Sequence, residues 1–143
     1  MRTGFFSRVD PKVIDVMVDY MSRPTAPPRA SARFSQQGGA ASRVAETATA
    51  FAERDGLHQC AIDADWVDVN EGAACIGHVR ELWAELEPMS TGGFYPNIMY
   101  DDGFERVRKS YRGNYNRLVD VKTKYDPTNF FHLNPNIRPR RSA

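Results

Sequence analysis

Two periods of apolar spacing run along this chain of 143 residues. Val13, Val16, Met17, Tyr20 and Met21 recur at helical spacing and predict a helix through about Ser22 with one apolar face. Asp10 stands ready as its N-cap and Pro11 as its first helical residue, while Pro24, Pro27 and Pro28 end it in a loop. Ahead of it, the apolar-leaning run Gly4 to Val9 predicts a short strand. Ala32 to Gln37 predicts another, broken by Gly38-Gly39. Ser42 to Ala52 is rich in Ala and Thr, shows no period and predicts no element. Leu57 to Trp66 reads as a buried strand. Glu71 to Leu86 reads as a helix whose stripe is Cys75, Val79, Leu82, Trp83 and Leu86, with Pro88 stopping it. After the turn Thr91-Gly92-Gly93, the segment Phe94 to Tyr100 predicts a strand, and Asp101-Asp102-Gly103 a further turn. Phe104 to Tyr111 predicts a short helix. Asn114 to Tyr125 predicts a longer one, with Tyr115, Leu118, Val119, Val121 and Tyr125 available for packing. Asp126-Pro127-Thr128-Asn129 ends it in a turn, and the tail from Phe130 is extended. Strands and helices mix without a regular βαβ alternation. The expected fold class is therefore α+β: an antiparallel sheet with helices packed on one face, then a C-terminal helix and an extended tail.

Composition narrows the function classes. Hydrophobic content of 41% and charged content of 26% are ordinary for a soluble globular chain. A net charge of +1 gives no global field for nucleic acid or an anionic membrane. No apolar run approaches the ~20 residues of a membrane span. The first residues, MRTGFFSRVDPK, hold no apolar stretch long enough for a secretory signal. Cys60 and Cys75 match neither a disulfide framework nor a zinc site, so reduced, buried thiols in a cytoplasmic protein are expected. His58, His78 and His132 are too scattered for a metal site. Arg138, Arg140 and Arg141 make the tail basic, without the aromatic interleaving of a nucleic-acid surface.

From Ser110 to Pro139 the chain reads SYRGNYNRLVDVKTKYDPTNFFHLNPNIRP. This closely resembles the C-terminal segment of the FAD-linked oxidases of the berberine-bridge-enzyme type. There an aromatic residue and a Gly lead into Asn-Tyr-x-Arg-Leu, followed by Val-Lys-x-Lys-Tyr-Asp-Pro-x-Asn-x-Phe and Asn-x-Asn-Ile-x-Pro. Upstream pieces match in the same order: Gly38-Gly39-Ala40 with Arg43-Val44, Ala48-Thr49-Ala50-Phe51 with Arg54, Trp66, Trp83, and Gly93-Phe94-Tyr95-Pro96-Asn97. The resemblance runs from about Phe5 to Pro139.

The resemblance implies a flavoprotein oxidoreductase several times longer than this chain. An FAD-binding module with a Gly-rich loop would come first and a substrate domain of sheet and helices would follow. The C-terminal segment would then return to pack on the FAD module. Residues 1–100 would be the C-terminal part of the substrate domain and 101–143 the berberine-like segment. The covalent attachment site for FAD is not in this chain, and no Gly-rich phosphate loop is present. The implied partners are a small-molecule substrate and an FAD-binding module, in cis or in trans, or a second copy of the chain. The reaction implied is oxidation of a hydroxyl- or amine-bearing small molecule by hydride transfer to flavin, with oxygen as acceptor. The rival reading is a non-catalytic interaction or small-ligand module, or a truncated remnant. It is favoured by Ile98, which stands where relatives usually carry an aromatic residue implicated as base.

Flavin oxidation needs a base, a hydride path and exclusion of water. Tyr95 and Asn97, two residues apart on one predicted strand, share a face. Tyr95 is the candidate catalytic proton acceptor, and Asn97 a candidate for holding a substrate or flavin oxygen. Tyr100, a substitute for the aromatic absent at Ile98, has the opposite parity. Asn134 and Asn136 lie where relatives run close to the cofactor module and are candidate cofactor contacts. The alternative for each is structural: a sheet aromatic at Tyr95, a turn former at Asn97, scaffold at Asn134 and Asn136. Asn114 is expected to cap the last helix, Arg117 to pair with Asp120, and Arg54 to form a salt bridge.

Overall fold

The computed structural model describes residues 1–98, 103–133 and 135–140. Three strands form one antiparallel sheet: β1 (Arg2–Phe6), β2 (Ala30–Gln36) and β3 (His58–Ala64), in the order β1-β3-β2. The helices are α1 (Pro11–Ser22), α2 (Gly72–Leu86), α3 (Phe104–Tyr111) and α4 (Tyr115–Tyr125). This is the expected α+β class.

Register divides the sheet into two faces. Gly4 pairs with Cys60 on β3, and Cys60 with Phe34 on β2. Successive side chains alternate faces. Phe6, Cys60 and Ile62 therefore turn toward α1 and α2, where they are buried with Val13, Met17, Val79, Leu82, Trp83 and Leu86. Each large side chain fully withdrawn from water here contributes about 1.5–3 kcal/mol. The predicted stripes of α1 and α2 are the ones that meet this core. Phe5, Gln59 and Arg33 turn the other way, toward the loops and α3.

Asp10 takes the N-cap position of α1, but its side chain makes no capping bond. Its carbonyl accepts from the amides of Val13 and Ile14 while its carboxylate accepts from Arg8. Both cysteines are free and buried, as expected.

Several expectations need correction. The strand expected over Phe94 to Tyr100 is absent from its described part: Pro96–Ile98 form a 3-10 turn closed by the Ile98 amide on the Tyr95 carbonyl at 3.3 Å. Pro96 suits a turn start and cannot donate to a sheet ladder. Tyr100 lies outside the described residues. The first strand is Arg2–Phe6 rather than Gly4 to Val9, because the chain leaves the sheet before the Asp10-Pro11 helix start. The third strand ends at Ala64, leaving Trp66 41% and Leu57 42% exposed. Asn114 does stand at the N-cap of α4 but does not cap it: its Nδ2 donates to the carbonyls of Glu46 at 2.8 Å and Thr49 at 3.0 Å. Asp120 pairs with Arg140 at 2.6 Å rather than with Arg117. Arg54 donates to the carbonyls of Phe51 and Ala41 and to Thr49 Oγ1, so it organises a loop instead of pairing with a carboxylate.

The Asp126–Asn129 turn forms as its composition predicts. Asp126 accepts from the amides of Phe130 and Phe131 and from Lys122, and Asn129 adopts φ 55. Those bonds to the charged form, the Lys122 bond foremost, hold the Asp126 carboxyl below its ordinary pKa. Among the described residues no helix is long and apolar enough to cross a membrane.

Candidate functional site

On the face of the sheet away from α1 and α2 lies a cleft of about 550 Å³. Its floor is Phe5 of β1 with Gln59 of β3; its walls are Gln37, Ala50 and Phe51 after β2, then Tyr95, Pro96 and Asn97, then Ser110 and Tyr111 at the end of α3. The position of each follows from local rules. Strand parity turns Phe5 and Gln59 away from the helical core. The 3-10 turn at Pro96–Ile98 swings Asn97 back toward Tyr95.

Tyr95 and Asn97 are brought together, though not by the route expected. They do not share a strand face; the turn places Asn97 Nδ2 3.1 Å from the Tyr95 hydroxyl oxygen, to which it donates. The Tyr95 amide in turn donates to Thr3 Oγ1 at 3.4 Å, tying the residue to β1. The Phe51 ring meets Tyr95 edge-to-face at 6.3 Å and Phe5 at 6.0 Å, so the apolar walls support one another.

Two amides complete the lining. Gln37 Nε2 donates to Gln59 Oε1 at 3.2 Å across the β2–β3 edge. No lining residue carries a formal charge, so the cleft presents neutral donors and acceptors over aromatic surface. Burial pushes the Tyr111 hydroxyl above its ordinary pKa, which keeps it protonated as a donor.

Asn136 does not line the cleft; its Oδ1 is buried without a hydrogen-bond partner in the tail. Asn134 lies outside the described residues. Ile98, the last residue of the Pro96–Ile98 turn, is 37% exposed.

Sequence reasoning missed Gln37, Gln59, Phe51 and Tyr111. A partial signal existed for Gln59: it is the polar neighbour of Cys60 on a strand whose alternate residues are apolar. It also missed Glu53, which is 3% exposed behind the cleft, and its partner Arg112 at 2.6 Å. No periodicity marks either residue.

Residues 69–138 match the family model described as berberine and berberine like. Among curated relatives, berberine bridge enzyme-like 17 of Arabidopsis thaliana is 32% identical over 124 residues, covering 75% of this chain and 24% of the relative. An FAD-linked oxidoreductase of Bacillus subtilis is 34% identical over 109 residues, covering 76% of this chain and 24% of the relative. Among solved structures, a glycopeptide hexose oxidase complexed with teicoplanin superimposes with a TM-score of 0.86 at 25% identity, covering 96% of this chain and 32% of that one. The chain thus spans about a quarter of the length of the curated relatives it matches. Fold, order of motifs and family match agree that this chain carries the berberine-like domain over residues 69–138 and is similar, as a partial piece, to the berberine bridge enzyme-like FAD-linked oxidases.

Proposed function

We propose that this chain is the C-terminal portion of an FAD-dependent oxidoreductase, in which the cleft over Phe5 and Gln59 faces the flavin ring and receives a small hydroxyl- or amine-bearing substrate. Residues 1–100 supply part of the substrate domain and 101–143 the berberine-like segment. The single observation that carries this reading is the Asn97–Tyr95 hydrogen bond at 3.1 Å inside the aromatic cleft.

The described residues suit one end of FAD only. An aromatic, uncharged cleft suits a flat ring system. Among the described residues, Gly38-Gly39 precede a three-residue 3-10 turn and Gly92-Gly93 no helix, so neither opens a helix N-terminus onto a phosphate. The pyrophosphate would be held by a companion module, in cis or in trans. Exposed apolar side chains of α4 and the tail fit a surface covered by that module: Tyr125 is 73% exposed, Phe130 74%, Phe131 75% and Leu133 81%.

Bound FAD would accept a hydride from the substrate and pass its electrons to oxygen. Tyr95 in its phenolate form would take the substrate hydroxyl or amine proton at its oxygen, becoming the neutral phenol, and Asn97 holds that oxygen in place. Tyr111 donates to a substrate oxygen. Phe5 and Phe51 exclude water and orient the substrate face. A second reading, a ligand-binding module without catalysis, draws support from Ile98, whose side chain cannot move a proton.

Titrating the purified chain with FAD tests the proposal. Saturable quenching of flavin fluorescence at micromolar FAD, abolished by Tyr95→Ala and by Asn97→Ala, is the expected result. Quenching unaffected by either substitution, or absent up to millimolar FAD even with the FAD-binding module added in trans, would overturn it.

A further inference from the structure

The three walls of the cleft come from stretches far apart in sequence, and one side chain behind them touches all three. Glu53 follows the Phe51 wall by two residues. Its Oε1 accepts from Thr91 Oγ1 at 2.6 Å, just before the turn that leads to Tyr95. The same oxygen accepts from Arg112 Nη2 at 2.6 Å, directly after the Tyr111 wall. Arg112 Nη1 lies 2.8 Å from Asp55 and 3.8 Å from Glu46, both in the loop that carries Phe51.

Two features show that this contact sets backbone geometry. Arg112 has φ 46, the left-handed region that a bulky non-glycine residue holds only when its surroundings impose it. Its guanidinium, drawn to three carboxylates, supplies that imposition. Gly93 is pressed against the same carboxylate: a Cβ there would stand 1.9 Å from Glu53 Oε2. That oxygen is buried with no hydrogen-bond partner. A buried carboxylate with one oxygen unsatisfied is a poor source of stability, since its desolvation offsets much of the ion pair. What it does supply is a fixed relation between segments.

We propose that Glu53 is a positioning residue of the cleft: through Thr91 and Arg112 it holds the Phe51, Tyr95 and Tyr111 walls in register. The functional meaning of this clamp rests on reading the cleft as the substrate side, but the clamp itself is testable without flavin. The groups facing Glu53 are Arg112, which favours its charged form, Asp55 and Glu46, which oppose it, and the Thr91 hydroxyl, which donates to it. Burial outweighs them and raises the carboxyl above its ordinary pKa.

The experiment incorporates fluorotyrosine into the full chain and follows the fluorine resonances against pH in the wild type, Glu53→Gln and Arg112→Lys. The Tyr95 and Tyr111 resonances, assigned by Tyr→Phe substitution, should shift in the wild type as pH rises through and above the ordinary glutamate range. The Tyr20 resonance, whose ring meets His78 on the opposite face, should follow one and the same pH course in the wild type and in Glu53→Gln. In Glu53→Gln the two cleft resonances should sit at displaced positions and lose that titration. In Arg112→Lys, which keeps the charge without the fork, they should fall between. Cleft resonances unchanged in folded Glu53→Gln, or a titration that persists in it, would overturn the proposal. Should Glu53→Gln fail to fold, cleft resonances in Arg112→Lys identical to the wild type would do the same. A wild-type chain that ignores FAD while its cleft tyrosines still report Glu53 would sink the flavin reading and keep the clamp.

Discussion

Gly4 on β1 lies directly beneath the Trp83 indole of α2: a Cβ at Gly4 would stand 2.1 Å from Trp83 Cη2. The sheet and α2 therefore close only because this position carries no side chain. Gly4→Ala should lower stability by about 1–3 kcal/mol, the cost of forcing one extra carbon into a packed core. Denaturant unfolding followed by tryptophan fluorescence measures it. An unchanged midpoint would mean that the helix can lift without cost.

Glu53 should leave a pH signature on stability. Its native pKa is raised, burial being the main cause. A group raised in the native state stabilises the fold fully below its unfolded pKa and loses that contribution as pH rises through the native value. Unfolding free energy should therefore decline above about pH 4.3, the ordinary glutamate value, relative to Glu53→Gln. Chemical denaturation of both proteins across pH 4 to 8 is the check; a wild type that gains stability on the variant across that window contradicts the assignment.

Neither thiol should react in the native protein. Cys60 is 0% exposed and its pKa is pushed up to about 12 by burial, while Cys75 is 4% exposed. The thiolate is the nucleophile, so alkylation near neutral pH should proceed only on unfolding. Mass spectrometry after iodoacetamide, with and without denaturant, reads this directly. Rapid labelling of folded protein would show that α2 opens from the sheet.

Asn114→Ala should cost about 1–3 kcal/mol, the penalty for leaving polar partners unsatisfied. Asn114 is 6% exposed, and its amide serves the carbonyls of Glu46 and Thr49 together. Because those carbonyls belong to the loop beside the cleft, amide exchange over residues 46–51 should quicken in the variant. A loss of helicity in α4 with the loop unaffected would instead assign Asn114 to capping.

Elements whose cause is local were legible in the sequence. Helices α1, α2 and α4 were announced by their apolar spacing and by flanking signals such as Asp10-Pro11 and Pro88. The Asp126–Asn129 turn follows from residues that bond within a few positions of one another. The terminal motif likewise identified the family before any fold was known. The exception proves the rule about range: Phe94, Tyr95 and Tyr100 suggested a strand by composition, but Pro96 has no amide to give a ladder and the chain turns.

The cleft was not legible in this way. Periodicity could say that Gln59 and Cys60 point to opposite faces, yet not that Gln59 would meet Gln37, or Phe5 meet Phe51. Glu53 and Arg112 are 59 residues apart, and neither carries a local signal of burial or pairing. Their meeting depends on where the loop after β2, the turn before Tyr95 and the end of α3 all come to rest on the sheet. Short-range hydrogen bonding and apolar spacing act along the chain and can be read from it. A site assembled from three distant stretches exists only once sheet register and helix packing have brought those stretches within a few ångströms, where one carboxylate can hold them.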